Sequence, residues 1–486
     1  MSTRQTKKGL ISISVGQWRM GVCLLILGLC LLPCVLASDY YAAQNGQPPS
    51  TYTSWSTAAS NIQDAVNAAN TNDTVWVGAG RYTVPTNAVD CVGTNVVYID
   101  KPLTLRSSNS IPASTIIDGQ GANRGIAVFY LITTTNRFVV DGFTISNCYA
   151  TNMGGGIMLY SGASAVWTGE VRNCVISSNT VAWGDTIDLY ASGSLGGGIC
   201  SCGGYGKSGL TVSNCTIRNN RALHKGPNIN EYGYGGGIWS KGFGKRLITG
   251  CRIENNSATV GGGCFFNYGS SDSMIENSVF MGNTTATSGY FNVKNVNIGG
   301  GVHHANQGYL NFRNVLFYNN FSHGYGGAIA GRVPTEMYNC TIVGNRARNS
   351  DARGSGIMAD TKLVMYNTII YSNEYPTWEV YVRTLTPTNA FFTNCCMTKT
   401  NLVYLTTTND VPGTGNFAAN PMVQNWAGQN YRLQVNSPCV NRGFNMPWMD
   451  NSAVDLDSHS RIDKFSGTVD IGCYEYLPNG MMFKVR

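Results

Sequence analysis

The sequence predicts an all-β fold: one right-handed parallel β-helix, closed by a short capping helix at its N-terminal end and a cap at its C-terminal end. Three observations predict it. Two short phrases alternate along most of the chain, their spacing is that of a solenoid, and their apolar residues follow a period of two.

The first phrase reads Asn-Cys-x-Ile-x-x-Asn or a close variant. It begins at Asn173, Asn214, Gly250, Asn277, Asn314, Asn339 and Asn367 and ends at Asn179, Asn220, Asn256, Asn283, Asn320, Asn345 and Asn373, with a degenerate copy from Asn394-Cys395. The second is a glycine triplet or near relative followed by an apolar residue: Gly154 to Ile157, Gly196 to Ile199, Gly235 to Ile238, Gly261 to Cys264, Gly299 to Val302, Gly326 to Ile329 and Gly354 to Ile357. Uninterrupted copies recur every 25 to 28 residues or so, and interrupted ones about ten residues later. No stretch carries apolar residues at i, i+3, i+4 and i+7 long enough for helical repeats. Short alternating runs of Ile, Val, Phe and Thr between Asn and Gly read as strands between tight turns.

Stacking the repeats gives each column a task. Ile176, Ile217, Ile253, Phe280, Phe317, Ile342 and Ile370 are expected inside, about 4.8 Å apart from coil to coil. The column from Asn179 to Asn373 is expected at a turn, in left-handed backbone, with amides bonded between coils. The glycines admit turns that a Cβ would obstruct.

Before the repeats, residues 1–37 have the order of a secretory leader: Arg4, Lys7, Lys8 and Arg19, an apolar run from Met20 to Leu36 broken by Pro33, and small Ala37. The expected location is therefore secreted or cell-surface, in a bacterial envelope, with no membrane-spanning segment in the mature chain. Residues 38–140 supply an N-terminal cap and the first coils, with Ile62, Ala65, Val66 and Ala69 as one apolar helix face. Repeats fill 141–405, and 406–486 form the C-terminal cap. Charged residues make up only 12% of the chain, so solubility rests on amides and hydroxyls. The formal charge of +7 includes the basic leader, which leaves a mildly cationic surface and no signature of nucleic-acid binding.

On these phrases the chain resembles the pectin-lyase-like right-handed β-helix superfamily, and the Gly-Gly-Gly-Ile and Asn-Cys-x-Ile-x-x-Asn repeats are similar to those of chlamydial polymorphic outer-membrane proteins. Ser54-Trp55, Ile62-Gln63, Asn72 to Val77 and Gly80-Arg81-Tyr82 are similar to the opening of exported bacterial β-helix proteins. Asp455-Leu456-Asp457, Arg461 and Val469 to Tyr476 resemble the module called choice-of-anchor Q. The resemblance implies fold and export more than activity. Of 16 cysteines, Cys23, Cys30 and Cys34 lie in the leader and thirteen remain. Those in the repeat column read as small buried hydrophobes. Cys439 and Cys473 stand where the C-terminal module usually has small residues and are the candidate disulfide.

Insertions break the repeat at one place only, between the asparagine column and the next glycines: Ala182 to Leu195, Arg221 to Tyr234 and Thr284 to Ile298. Equal positions on stacked coils make these neighbours on one edge. Their aromatic and charged residues suit sugar rings: Trp183, Tyr190, Tyr232, Tyr234, Tyr290, Phe291 and Lys294. Packing of the same aromatics onto the solenoid is the structural alternative. Directly after the inward Ile column, Trp239, Phe265 and His303 turn outward, either as a binding stripe or as a surface that the insertions cover. His303-His304 cannot both face one metal from a strand, so no metal site is expected.

Catalytic residues stay unassigned. Asp185, Asp188, His224, Lys225 and Glu231 are the only local cluster of the right chemistry, and the polygalacturonase and pectate-lyase motifs are missing. Asp455, Asp457, Asp470 and Glu475 could bind Ca2+, but pairing with Arg461 and turn-capping are the expected use; no other cofactor is expected. The expectation is a monomeric, non-catalytic β-helix that adheres to polysaccharide or host-surface glycan through its loop-bearing edge. A polysaccharide lyase or other carbohydrate-active enzyme acting on acidic glycans is the alternative, and a purely structural surface protein the third reading.

Overall fold

The computed structural model describes residues 37–47, 51–84, 89–90, 93–130, 136–161, 167–182, 193–203, 209–223, 232–267, 272–285, 298–348, 354–374, 378–383, 390–398, 403–405, 413–450 and 452–477. The chain divides into two units, 1–38 and 39–486. The expected leader, residues 1–37, lies outside the described residues except for its last position. The second unit is a parallel β-solenoid.

The coils build three sheets, of 22, 12 and 7 described strands, parallel throughout except where Val89–Asp90 pairs antiparallel with Gly93–Ile99, and the smallest of the three is confined to the middle coils. In the largest, the predicted inner column is in exact register: Ile145, Ile176, Ile217, Ile253, Phe280, Phe317, Ile342, Ile370 and Met397 pair in succession. All are buried. The second sheet stacks Ile126, Ile157, Ile199, Ile238, Cys264, Val302, Ile329, Ile357 and Val380 in the same way. Both rows enter one continuous interior core, which grows with every coil because each adds the same apolar area to its neighbour.

Two left-handed positions per coil bend the largest sheet. Asn173, Asn214, Asn277, Asn314, Asn339, Asn367 and Asn394 occupy the first, with φ between 48° and 52°, and Gly142 and Gly250 replace them once each. Asn147, Ser178, Asn219, Asn255, Gly282, Asn319, Gly344 and Ser372 occupy the second. The column from Asn179 to Asn373 was expected in left-handed backbone; instead the residue before each takes that conformation. The bend turns the asparagine itself inward, where its amide joins a ladder. Asn179, Asn220, Asn256, Asn283, Asn320 and Asn345 each donate Nδ2 to the Oδ1 of the next member, at 2.9 to 3.0 Å. Each ladder Nδ2 also donates to a carbonyl one coil back, such as that of Ile253 for Asn283. Buried amides fully satisfied in this way cost little and fix the register.

The glycine phrase makes the opposite corner. A Cβ on Gly236 would lie 2.5 Å from the carbonyl oxygens of both Gly262 and Ser257, so stacked backbones leave no room for a side chain there.

At the N-terminal end, helix Ile62–Ala68 is capped by Asn61, whose side chain accepts from the Asp64 amide, and buries Ile62, Ala65 and Val66. The C-terminal module, expected as an end cap, lies along the outer face of the largest sheet. The outward row there reads Val175, Thr216, Arg252 on early coils, then Val279, Leu316, Thr341, Ile369 and Cys396. Its later, mostly apolar members form a second buried cluster with Val423, Tyr431, Leu433, Cys439, Ile471, Cys473 and Tyr474. Four outer asparagines dock the module: Asn314, Asn339, Asn367 and Asn394 donate to the carbonyls of Val454, Asp470, Phe444 and Arg442 at 2.7 to 3.1 Å.

Candidate functional site: the loop-bearing edge

The insertions leave and return in register. Thr180, Arg221, Ser257, Thr284, Phe321 and Arg346 pair in one row of the third sheet, from which all three insertions depart. On the return side Ser194–Leu195 pairs with Gly233–Tyr234, and Tyr234 bridges to Val260. The roots of the three insertions are thus stacked on one edge, as period counting requires. Trp183, Asp185, Asp188, Tyr190, His224, Lys225, Glu231, Tyr290, Phe291 and Lys294 lie outside the described residues.

Trp239, Phe265 and His303, nominated as ligand contacts, are 3%, 4% and 2% exposed. Alternation does turn them outward, but into a second apolar layer with Met158, Leu195, Cys200, Val260, Ile298, Tyr325 and Met358. The Phe265 and His303 rings stack at 5.1 Å, and Tyr234 packs on Phe265 at 5.2 Å. Burial pushes the Tyr234 phenol up to about 12, and Tyr232 is also buried. These aromatics therefore pack the insertion roots onto the solenoid, with Tyr234 partly buried beside Phe265. The His303 Nδ1 lies 2.8 Å from the Ala330 carbonyl, and burial lowers its pKa to about 3. His304 faces the interior, so the two rings stand on opposite sides of the strand.

Beside the return of the third insertion the layer opens into a cleft of about 560 Å3, lined by Ile298, Asn306, Tyr325, Arg332, Met358, Asp360, Thr361 and Arg383. Its charged residues come from three successive coils at one position, immediately after the strands Ile329–Gly331, Ile357–Ala359 and Val380–Val382. Backbone bonds from Arg332 to His304, Asp360 to Gly331 and Arg383 to Ala359 continue the parallel ladder through them. Arg332 and Arg383 approach Asp360 from either side at 3.7 and 3.4 Å; the carboxylate is 12% exposed and the arginines 42% and 56%. One carboxylate cannot engage the ten N–H donors of two guanidiniums, so donors face the cleft. Ile298, Tyr325 and Met358 line its apolar floor, and Asn306 adds a polar edge. Such a site can hold a ring with one apolar face, hydroxyl edges and an anionic group.

A second opening of about 600 Å3, lined by Phe321, Arg346, Ala347 and Arg348, adjoins the departure of the same insertion, since Phe321 pairs with Thr284. Arginines therefore stand on both sides of that root.

The C-terminal acids are engaged within their own module. Asp455 accepts from the amides of Asp457, His459 and Glu475, and Asp470 from those of Asn441 and Tyr476. Asp457 pairs with Arg432 at 2.5 Å, and buried Arg461 pairs with Glu475 at 3.1 Å. Asp455, Asp457 and His459 approach one another closely enough to share an ion, but the first two are already bonded as turn cap and ion pair. Cys439 and Cys473, the expected disulfide pair, are both buried in the layer between module and sheet and are not bonded to each other in this structure.

Residues 131–331 match the family model described as a right handed beta helix region. Among solved structures the chain is similar to pectate lyase Pel9A, with 15% identity over 90% of this chain and 96% of that one and a TM-score of 0.52. It also matches a rhamnogalacturonan lyase, with 13% identity over 91% and 97% and a TM-score of 0.40. No curated protein matches the sequence. The strand register, the family model and the likeness to Pel9A agree: the chain has the pectin-lyase-like fold, a right-handed parallel β-helix.

Proposed function

We propose that this protein binds polysaccharide without cleaving it, as a secreted or surface-displayed β-helix whose loop-bearing edge is the contact face. The observation that carries the reading is the cleft at Arg332, Asp360 and Arg383, where an apolar floor, an amide edge and unspent guanidinium donors adjoin an insertion root. A long chain of rings laid along the edge would meet one such coil after another, and the arginines favour chains that carry acidic groups. Pel9A is by its name a pectate lyase, which supports the ligand class and leaves catalysis aside. A glycan array with protein lacking residues 1–37 tests the reading: binding to acidic glycans, lost in an Arg332→Ala/Arg383→Ala variant, is expected. Failure to bind any polysaccharide overturns it, and absorbance of unsaturated products on incubation with pectate, alginate or chondroitin would overturn its non-catalytic part.

A further inference from the structure

The cysteines fall into two geometrically different sets. Cys174, Cys215 and Cys251 follow the outer asparagine bend on adjacent parallel coils and point into the interior, each thiol donating to the carbonyl two residues before it, at 3.1, 3.2 and 3.3 Å. Their side chains run parallel, an arrangement that does not bring two sulfurs end to end. Cys396 is different. It sits one position later than the interior Cys395, so alternation turns it outward into the layer between the largest sheet and the C-terminal module. Cys439 enters the same layer from the opposite side, on the module, held by a hydrogen bond from its amide to Ser437 Oγ and one from the Ile471 amide to its carbonyl. Both are fully buried members of one cluster between the sheet and the module, where Cys396 is the outward thiol facing Cys439 and donates to the Ala419 carbonyl at 3.3 Å.

Cys473 belongs to the same layer but has another neighbour. Its amide is fixed by Thr341 Oγ1, and the nearby rod cysteine, Cys340, faces the interior on the far side of the sheet backbone. Of the two module cysteines, only Cys439 meets a thiol across the interface that points toward it.

We propose that Cys396 and Cys439 form a disulfide that fastens the C-terminal module to the solenoid when the chain folds under oxidising conditions. The reaction is thiol–disulfide exchange with a small-molecule or protein disulfide. One thiolate attacks the oxidant's sulfur to give a mixed disulfide, and the second thiolate displaces the oxidant's remaining thiol, so two Cys–S–H become one S–S while the oxidant is reduced to two thiols. Because both thiols are sealed in the folded protein, the bond must close during folding or during transient lifting of the module. The bond would hold the module through openings that otherwise expose the apolar row from Val279 to Ile369.

The test is refolding of the full chain with oxidised and reduced glutathione, then alkylation in denaturant and peptide mapping without reduction. A cross-linked pair of peptides containing Cys396 and Cys439, lighter by two hydrogens than the separate peptides, is expected. Cys439→Ser should leave Cys396 fully alkylated, and reduction should lower the melting temperature of the wild type but not of Cys439→Ser or Cys396→Ser. Complete alkylation of both cysteines in the oxidised wild-type chain overturns the proposal, as does a map in which Cys439 is joined to Cys473; neither reading requires a variant to fold.

Discussion

Asn373 ends the inner amide ladder by donating its backbone N–H to Glu379 Oε1 at 2.8 Å. Its side-chain amide reaches the same oxygen at 3.4 Å, and Thr398 Oγ1 donates to it at 2.9 Å. The next coil has Thr400 where the repeat places asparagine, so no further amide follows. Every ladder amide turns its oxygen toward the N-terminal coils and sends its backbone N–H and one Nδ2 hydrogen toward the C-terminal ones, so the row must end on an acceptor. A carboxyl group from the following turn supplies it.

Glu379 is buried, and that desolvation pushes its pKa up to about 7 against the donors that pull it down. A carboxyl raised above its unfolded value near 4.3 is favoured in its protonated form by the fold. Its stabilising contribution is complete below about pH 4 and lost as pH rises through about 7, a loss on the order of 3 kcal/mol. Glu379→Gln keeps the acceptor and has no proton to lose. Urea titrations from pH 4.5 to 8 should show the variant matching the wild type at the acid end and exceeding it at pH 8; parallel curves would refute the assignment.

In mid-ladder, Asn283 accepts from both the amide and Nδ2 of Asn256 and donates to Asn320 and Ile253. Asn283→Ala strands those buried groups, and a loss of about 3 kcal/mol or more is expected in chemical denaturation. Asn214, in the outer column, is exposed and left-handed, with φ 51°. Asn214→Gly should stay within about 0.5 kcal/mol of wild type, since glycine adopts that conformation freely. Equal effects at the two positions would mean that the columns do not differ in kind.

His304 is fully buried, meets Phe266 edge-on at 5.8 Å, and neither of its ring nitrogens has a hydrogen-bond partner among the described residues. Burial and then the Arg246 charge lower its pKa to about 3. Its neutral form is favoured by the fold, a contribution present above about pH 6.5 and lost as pH falls toward 3. His304→Leu replaces an unsatisfied polar ring with an apolar side chain, so melting temperature should hold or rise at pH 7, and the advantage should widen at pH 5. A variant less stable than wild type at pH 5 would reveal a partner for the ring.

How much of this was legible in the sequence follows from the repeat. The inner rows, the alternation and the common edge of the insertions came from counting residues between equivalent positions, because register in a solenoid is periodicity made physical. The left-handed site was assigned one residue late: Asn219 and Asn220, or Asn255 and Asn256, are chemically identical neighbours, and only the backbone tells the bend from the ladder. The outward stripe at Trp239 and Phe265 was placed on the correct face, but whether a second layer covers a face depends on residues distant in sequence. Docking of the C-terminal module beside the solenoid has the same cause. The cleft was missed although a signal existed: Arg332 and Asp360 each stand six residues after the first glycine of their phrase, and aligning the copies would have brought them together.

That alignment makes the cleft testable apart from the fold. Arg332 and Arg383 are each about half exposed, and screened surface pairs of this kind contribute little to stability. Arg332→Ala and Arg383→Ala should therefore melt within a degree or so of wild type. Charge-assisted bonds to an anionic group are stronger than neutral ones, so each variant should bind an acidic glycan about tenfold more weakly in titration calorimetry, with a flatter dependence on salt. Asp360→Asn removes the internal competitor for both guanidiniums, and affinity for the same glycan should rise several-fold. If Asp360 instead serves as an acceptor for sugar hydroxyls, its substitution lowers affinity for acidic and neutral glycans alike. The sign of that one change decides whether the carboxylate restrains the arginines or joins them in holding the ligand.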